Sequence, residues 1–339
     1  MTLRHPLEGL PGAIRSRLNE HMTHVSCCNA VGELMWHKQG LDIDSLRSDS
    51  PGLMWQIQGN GTEYFLTLGA SPASLEWGLN VFGSGDQKHC AEIVVSHARK
   101  ALGAILPAAG HWELCREDIT QNYALPGPSE VKAALRMMMQ TEGGRRKPCA
   151  MGGDTVGYNT GSDLRKGKAY HKGPQLAYLK KRGAVDVEDW EIALADNLLR
   201  LELTLGARFW RRRREAKEKH WSSITESELD AMHLEYFGRF FGAVEVADMG
   251  ILLERLEKVA GSPGKALSAH RTWALVKAVG YDNARESMPR TTWFRHLKAL
   301  RDAGVSDADL CAGQIVPFRR HVVLLAEPVR CWEDVRRAA

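Results

Sequence analysis

The sequence predicts an α+β fold, in which a mostly antiparallel sheet with helices is followed by an all-α C-terminal domain. Alternating apolar and polar residues, which are typical of half-buried strands, recur up to Leu205. Beyond Ala207 the apolar residues take helical spacing almost without interruption. A strand-rich part followed by a helical part is typical of this fold class.

The strands and helices can be placed in order along the chain. Gly59, Asn60 and Gly61 are predicted to form a hairpin turn, and Gly161 and Ser162 are predicted to join a later pair of strands. The predicted strands are 22–38, 53–58, 63–70, 111–123, 154–160, 166–173 and 200–205. The predicted helices are 86–102, 126–139, 185–198, 223–241, 245–259, 264–280 and 290–303.

Three segments follow from this pattern. Residues 1–207 are predicted to form the α+β domain, 208–222 a basic linker, and 223–339 the helical C-terminal domain. Within the last segment, MPRTTWFRHLKALRDAG carries Arg290, Arg295, Lys298 and Arg301. It can be interpreted as the recognition helix of a helix-turn-helix, or as a plain core helix with a basic outer face.

Composition excludes several classes of protein. The 339 residues are 44% hydrophobic and 25% charged, which is ordinary for globular proteins and excludes disordered and fibrous chains. The seven cysteines are scattered without a CxxC pair or zinc-module spacing, which favours reduced thiols in a cytosol. The sequence has no long apolar run and its start lacks the apolar segment of a signal peptide, so we expect neither a membrane span nor export.

Positive charge is concentrated in two places, although the formal net charge is only +4. The segment from Arg145 to Arg182 contains ten basic and two acidic residues. The segment from Arg208 to Lys219 contains seven basic and two acidic residues. Clustered positive charge suits a polyphosphate partner, because each neutralised phosphate releases counterions. A solvated helix face is the alternative for either cluster alone. The two clusters together, with Trp210 and Trp221 beside the second, favour nucleic acid.

Polar residues share faces on three predicted strands, because side chains alternate along a strand. The first face holds Trp112, Leu114, Arg116, Asp118 and Thr120. The other two hold Lys168, Tyr170 and Lys172, and Arg200, Glu202 and Thr204. Carboxylates are preferred ligands of hard divalent cations, so Asp118 and Glu202 could bind such a cation while a phosphate lies against Tyr170.

Tyr170 is the candidate nucleophile of this arrangement. A phenol with a pKa of about 10 is a poor nucleophile at neutral pH, and we expect Lys168 and Lys172 to favour its ionised form. In the alternative interpretation, Tyr170 only ends a strand and the carboxylates form surface salt bridges.

Several stretches together resemble the filamentous-phage gene II/gene X replication initiators, which start rolling-circle replication. In chain order they are GLNVFG, CREDIT, TVGYNTGSDLRKGKAYHKGPQL, LLRLELTLGARFW, RTTWFRHLKALRDAGVSDADL and IVPF. The matching stretches lie between about residues 78 and 318, and the first 60 residues match only in strand pattern.

This resemblance implies a nicking and joining enzyme of the host bacterial cytoplasm. Its tyrosine attacks the double-stranded origin, stays linked to the 5′ phosphate and frees a 3′ hydroxyl. Tyr170 matches the family's tyrosine, Lys172 its following lysine, and Asp118 and Glu202 its strand carboxylates. The resemblance also implies a double-stranded origin, a single-stranded cleavage site, and a host helicase and polymerase as partners.

The metal assignment is our inference from the residues, with Asp118 and Glu202 holding Mg²⁺ or Mn²⁺. The His-hydrophobic-His motif of many related nickases does not occur in this sequence. His111 and Glu113 are second-choice ligands, and His171 is expected to be structural. Gly83 to Asp86 are expected to form a turn into a helix and not a phosphate loop, because no Lys-Ser/Thr pair follows.

The expected DNA contacts are basic residues of both clusters and of the C-terminal domain: Arg116, Arg165, Lys166, Lys168, Arg211, Arg212, Arg213, Arg214 and Arg295. A non-catalytic, sequence-specific DNA-binding regulator of phage or plasmid replication is the main alternative function. It would not need Tyr170 together with the two carboxylates. An RNA-binding module is a weaker alternative, because the sequence lacks an RNP-like aromatic signature.

Overall fold

An antiparallel sheet of eight strands organises the protein. The structure, a computed structural model, describes residues 1–41, 52–59, 63–140, 148–238, 249–305, 310 and 327–338. The strands in chain order are β1 (Thr2–Pro6), β2 (Met22–Cys28), β3 (Leu34–Leu41), β4 (Met54–Gly59), β5 (Tyr64–Gly69), β6 (Glu113–Ala124), β7 (Pro148–Ala150), β8 (Thr155–Tyr158), β9 (Arg165–His171) and β10 (Leu198–Leu205).

The large sheet has the order β4-β5-β1-β6-β10-β9-β8-β7, and every neighbouring pair is antiparallel. The predicted α+β class is therefore confirmed. The predicted turn residues Asn60 and Gly61 lie outside the described residues, whereas the strands on either side pair from Met54 opposite Gly69 to Gly59 opposite Tyr64.

Helices cover the sheet and form the C-terminal part of the chain. In chain order they are α1 (Gly12–Glu20), α2 (Pro72–Trp77), α3 (Gln87–Leu102), α4 (Pro128–Gln140), α5 (Lys172–Lys181), α6 (Asp189–Ala195), α7 (Ala207–Glu215), α8 (Glu226–Phe237), α9 (Met249–Val259), α10 (Pro263–Val279), α11 (Tyr281–Glu286), α12 (Arg290–Asp302) and α13 (Trp332–Ala338). Within the described part of the chain, no helix is long and apolar enough to cross a membrane.

The predicted strand 22–38 is two strands, β2 and β3, which pair in a small sheet of their own. A tight turn separates them: the Asn29 side chain accepts hydrogen bonds from the backbone N–H groups of Val31 and Glu33. Gly32 adopts a φ of 85° there, in the region that glycine tolerates best. Asn29 and Gly32, which are three residues apart, are residue types that favour turns, and they interrupt the alternation.

The largest core lies on one face of the large sheet. Leu199, Leu201, Leu203 and Leu205 of β10 are all buried in it, as their spacing predicts. A smaller cluster packs Leu198 and Ala124 against α5, α6 and α13. A third core joins α9, α10, α11 and α12 and begins at Leu252.

The predicted basic linker 208–222 contains a helix that packs on the sheet. Phe209 and Trp210 of α7 are buried in the same core as β10, and the indole of Trp221 donates a hydrogen bond of 2.9 Å to the carbonyl of Trp112. Leu229 and Tyr236 of α8 belong to this core as well. The core that is separate from the sheet therefore begins later along the chain than the predicted C-terminal domain.

β1 covers only the first part of β6, so the rest of that β6 edge has no neighbouring strand in the described part of the chain. Thr2 pairs with Arg116 and Leu3 with Leu114, so Cys115 lies in a β-bulge between them. The bulge shifts the alternation of faces. Trp112 and Leu114 are buried in the main core and do not share a face with Asp118, contrary to the prediction.

The chain returns to this open edge near its C-terminus. The backbone N–H of Val329 donates a hydrogen bond of 2.9 Å to the carbonyl of Asn122 on β6. Arg330 forms ion pairs with Glu226 and Asp230 of α8. The Trp332 ring of α13 contacts the rings of Phe82 and Trp190. Residues 328–330 thus form one wall of the cavity at this edge.

Candidate active site

The open edge of β6 borders a cavity of about 560 Å³. Its walls include residues of β6, β9, β10, the loop that precedes α3, and residues 328–330. Asp86 begins α3 by accepting hydrogen bonds from the backbone N–H groups of Lys88 and His89. Gly83 to Asp86 therefore form a turn into a helix, as expected.

Strand register brings the polar faces of β6, β10 and β9 together. Arg200 lies opposite Tyr170, and Glu202 lies opposite Lys168. On the other side of β10, Thr204 lies opposite Asp118. The structure thus brings together Asp118, Lys168, Tyr170 and Glu202, all of which line the cavity.

The Tyr170 hydroxyl is held by charged neighbours. It donates a hydrogen bond of 2.7 Å to Glu202 Oε1, and Arg200 Nη1 donates a long one of 3.5 Å to it. The Lys168 ammonium lies 4.4 Å from the centroid of the Tyr170 ring, which is a cation–π contact. Only 5% of Tyr170 is exposed, yet it lines the cavity.

The pKa of Tyr170 is raised above its ordinary value, chiefly by burial and further by the Glu202 carboxylate, while Arg200 acts in the opposite direction. The predicted activation of the phenol by Lys168 and Lys172 is therefore wrong, because burial, Arg200 and Glu202 determine the direction of the pKa shift. Burial removes water from the phenolate, whereas Lys168 lies over the ring and not at the oxygen. The phenol stays protonated at neutral pH, so its attack on phosphorus requires a proton acceptor.

Lys172 is the first residue of α5 and is completely buried. Its Nζ donates hydrogen bonds of 2.8 Å to Asn80 Oδ1 and 2.7 Å to Gln175 Oε1. Burial, assisted by the Arg200 charge, lowers the pKa of Lys172 to about 6. At neutral pH it is mainly an uncharged amine, whose two N–H donors match these two oxygens.

Arg200 fixes the loop beside Tyr170. Its Nη1 donates a hydrogen bond of 2.5 Å to the carbonyl of Asn80, and its Nη2 donates one of 2.8 Å to the carbonyl of Val81. Asn122 Nδ2 donates a hydrogen bond of 2.8 Å to the same Val81 carbonyl. The loop, β6 and β10 therefore form one hydrogen-bonded unit around the phenol.

Asp118 is engaged by its neighbours. The Arg116 guanidinium forms an ion pair of 3.1 Å with it, and the Thr204 hydroxyl donates a hydrogen bond to its Oδ1. No group of three or more His, Cys, Asp or Glu residues able to hold a metal occurs in the described ranges. A site here would rest on Asp118, Glu202 and neutral oxygens. One of these is the buried Asn122 Oδ1, which has no hydrogen-bond partner among the described residues.

Glu117 is a buried carboxyl that the sequence analysis did not select. Its partner is Gln87 of α3, whose side-chain amide donates a hydrogen bond to Glu117 Oε2. Burial raises the pKa of Glu117 to about 7, so the group titrates near neutral pH at the wall of the cavity.

Other predicted ligands and contacts lie outside the cavity. His111 belongs to a single 3₁₀ turn (Ala109–His111), and Glu113 forms ion pairs with Arg4 and Arg214. Neither is therefore placed to act as a second-choice ligand. His171 is buried and contacts Asp196, in the structural position expected for it.

The predicted DNA contacts are spread over several surfaces. Arg116 is exposed beside Asp118, and Lys166 pairs in register with Thr204 near the cavity. Arg165 forms an ion pair with Glu235. In α7, Arg211 and Arg212 are exposed, and acidic partners are bound by Arg211, Arg213 and Arg214. Arg295 is exposed on α12, in the separate helical core.

Asn80, Gln175, Asn122 and the role of Arg200 were missed by sequence reasoning. Asn80 and Lys172 are 92 residues apart in the sequence, so no local sequence pattern predicts their hydrogen bond. Arg200 could have been selected, because its alternation with Glu202 and Thr204 already placed it on the polar face.

Comparison with known families links the chain to phage replication-associated proteins. The family model for the N-terminal part of the phage gene II replication-associated protein matches residues 13–226, which include β6, β9, β10 and the loop around Asn80. No curated protein and no solved structure shows a significant match. The matched range covers more than half of the chain and contains Asp118, Tyr170, Lys172 and Glu202. The chain therefore belongs to this family of phage replication-associated proteins, whose role is the initiation of phage DNA replication.

Proposed function

We propose that the protein nicks the double-stranded origin of a phage or plasmid genome and later rejoins the displaced strand, with Tyr170 as the nucleophile. The observation that carries the proposal is the hydrogen bond of 2.7 Å from the Tyr170 hydroxyl to Glu202 at the wall of the cavity. A phenol next to a carboxylate base and two cationic side chains is suited to attack a phosphodiester.

In the proposed nicking step, the Tyr170 oxygen forms a bond to phosphorus and the bond from phosphorus to the 3′ oxygen breaks. The phenolic proton passes to Glu202 Oε1, and the departing 3′ oxygen takes a proton from solvent. Arg200 lies 3.5 Å from the phenol oxygen and stabilises negative charge as it develops there. Joining reverses the step: the oxygen of a 3′ hydroxyl attacks the phosphotyrosine and gives its proton to solvent. The bond from phosphorus to the Tyr170 oxygen breaks, and Tyr170 recovers its proton from Glu202.

In this proposal, Asp118 and Glu202 would hold Mg²⁺ or Mn²⁺. Mg²⁺ is often bound by one or two carboxylates together with substrate phosphate oxygens, so two acidic ligands in the described part of the chain are compatible with it. A cation held there would polarise the phosphate oxygens. The Arg116 ion pair with Asp118 must then open or share the carboxylate.

Basic side chains around the cavity would hold the DNA strand. Lys168 lies over the Tyr170 ring, and Arg116 is exposed at the same wall. We propose that these two bind phosphates that flank the scissile one, because such contacts position a strand without reading bases. Lys172 would hold the side chains of Asn80 and Gln175 in position at the cavity wall through its two hydrogen bonds. A host helicase and polymerase in the host cytoplasm would then extend the freed 3′ end.

The test is covalent attachment of the protein to DNA. Purified protein is incubated with Mg²⁺ and supercoiled DNA that carries the replicon's origin, and the products are separated under denaturing conditions. Nicked circles bearing covalently attached protein are expected for the wild type and for Tyr178→Phe, a matched control whose tyrosine is 57% exposed on α5. Tyr170→Phe should form no adduct and still bind the DNA. Binding without nicking by the wild type would instead support a non-catalytic DNA-binding regulator.

A further inference from the structure

The helical core at the C-terminal side contains a compact three-helix arrangement. α10 is followed by the six-residue helix α11 and, after Ser287, Met288 and Pro289, by the 13-residue helix α12. The Tyr281 ring of α11 meets the buried Trp293 of α12 edge to face, with centroids 5.1 Å apart. A short helix joined by a three-residue turn to a longer one is the arrangement of a helix-turn-helix.

α12 has a buried face and a basic exposed face. Trp293, Leu297 and Leu300 are buried at helical spacing and pack in the core with α10. The exposed residues on the opposite side of its first three turns are Thr291, Phe294, Arg295 and Lys298. Phe294 is 44% exposed, which is unusual for a phenylalanine that serves only to pack a core.

Charge on this helix points to one kind of partner. Arg290, Arg295, Lys298 and Arg301 are basic, whereas its single acidic residue, Asp302, stands at the C-terminal end. The Arg290 guanidinium lies 5.8 Å from the centroid of the Phe294 ring, so these two side chains stand together at the start of the helix. In helix-turn-helix proteins the N-terminal end of the second helix enters the groove. The basic side chains at this end of α12 are thus complementary to a polyanion.

We propose that the first half of α12 enters the major groove of duplex DNA and contacts base edges through Thr291, Phe294 and Arg295. The major groove admits one α-helix, arginine pairs with guanine edges, and threonine and phenylalanine contact thymine methyl groups. Lys298 and Arg290 contact the phosphates on either side. In this arrangement the helical core recognises the DNA sequence, and the separate cavity at Tyr170 cleaves the DNA strand.

This inference goes beyond the nickase function and does not depend on it. The buried residues of α12 belong to a core that contains no residue of β6, β9 or β10, and no residue of α12 lines the cavity, so changes on the exposed face of α12 are expected to leave the cavity intact. The covalent reaction on a single-stranded oligonucleotide is therefore expected to be unchanged by them. Failure of the nickase proposal and failure of this one give different results.

The experiment is a selection of duplexes by the full-length protein from a pool with a randomised central segment. The wild type should enrich one sequence motif, and Tyr170→Phe should enrich the same motif. Thr291→Ala with Arg295→Ala should lose it, with affinity for the enriched duplex falling at least about tenfold. The matched control, Lys265→Ala on α10, removes the same single positive charge and should keep the motif; this lysine is exposed.

Equal melting temperatures of the variants establish that each is folded. Enrichment of the same motif with unchanged affinity by the α12 variant would overturn the proposal. So would a wild type that enriches no motif, or one that prefers single-stranded oligonucleotides over every duplex in the pool.

Discussion

The Tyr170 hydroxyl and the Glu202 carboxylate lie 2.7 Å apart on neighbouring antiparallel strands, with the hydroxyl as donor. They are not directly opposite each other, because Tyr170 faces Arg200 and Glu202 faces Lys168. The diagonal contact lies between two directly opposite pairs, so the side chains of Lys168, Tyr170, Arg200 and Glu202 are neighbours on the sheet. Under the proposed function this contact is also the path of the proton.

Glu202→Gln tests the proton path. The amide keeps the size of the side chain but accepts a proton poorly, so the rate of adduct formation should fall by about 100-fold or more, as is typical when a general base is removed. Single-turnover cleavage of an origin oligonucleotide at saturating Mg²⁺ measures the rate without a contribution from weaker metal binding, and Glu257→Gln on α9 is the control. A rate within a few-fold of the wild type would exclude Glu202 as the base.

Asp118→Asn tests the metal. Because the amide lacks the charge that a hard cation requires, the Mg²⁺ concentration for half-maximal cleavage should rise at least about 10- to 100-fold, the usual cost of removing even an outer partner of a metal ligand. A titration of cleavage rate against Mg²⁺ measures it, with DNA affinity expected to be unchanged. An unaltered titration curve would remove Asp118 from the ligand set.

Lys172→Met tests the buried amine through the pH dependence of stability. The pKa of Lys172 is about 6 in the folded protein and about 10.5 in the unfolded chain, so between these values the unfolded chain binds more protons. Stability from this residue therefore rises with pH across that window, by up to about 1.4 kcal/mol per pH unit. Urea unfolding at several pH values should show this slope in the wild type minus variant difference. A difference that is constant with pH would contradict the lowered pKa.

Arg211→Ala with Arg212→Ala tests the basic surface of α7. Both side chains are exposed, and backbone contacts carry no sequence information, so affinity for origin and random duplexes should fall by similar factors. The log–log salt dependence should flatten by up to about 0.9 for each phosphate that is no longer neutralised. Arg15→Ala with Arg17→Ala on α1 removes equal charge from another exposed helix. A weakening confined to origin DNA would show that α7 takes part in sequence choice.

The two faces of β10 were predictable because its residues alternate strictly from Leu199 to Leu205. The leucines of β10 fill one face while Arg200, Glu202 and Thr204 occupy the other, as the sequence indicates. Helices with strong periodicity, α3 and α12 among them, also begin and end within a few residues of the prediction. For β10, α3 and α12, the local sequence pattern was therefore sufficient to predict the structure.

Features that depend on distant contacts were not predictable. The bulge at Cys115 shifts the faces of β6, and it lies where β6 pairs with β1, a strand that the sequence analysis did not predict. The four consecutive arginines of α7 led to the prediction of a basic linker, but Phe209 and Trp210 on the same helix are buried in the core of the sheet. The cavity wall formed by residues 328–330 depends on contacts at least 100 residues apart in sequence.

The most direct test of the central claim is to identify the amino acid that is linked to DNA. The covalent adduct formed by the wild-type protein is digested with nuclease and protease, and the modified peptide is sequenced by mass spectrometry. We predict a nucleotide attached through a 5′ phosphate to Tyr170, within the segment Lys168 to Lys172. A nucleotide on any other tyrosine, or on a serine, would contradict the assignment.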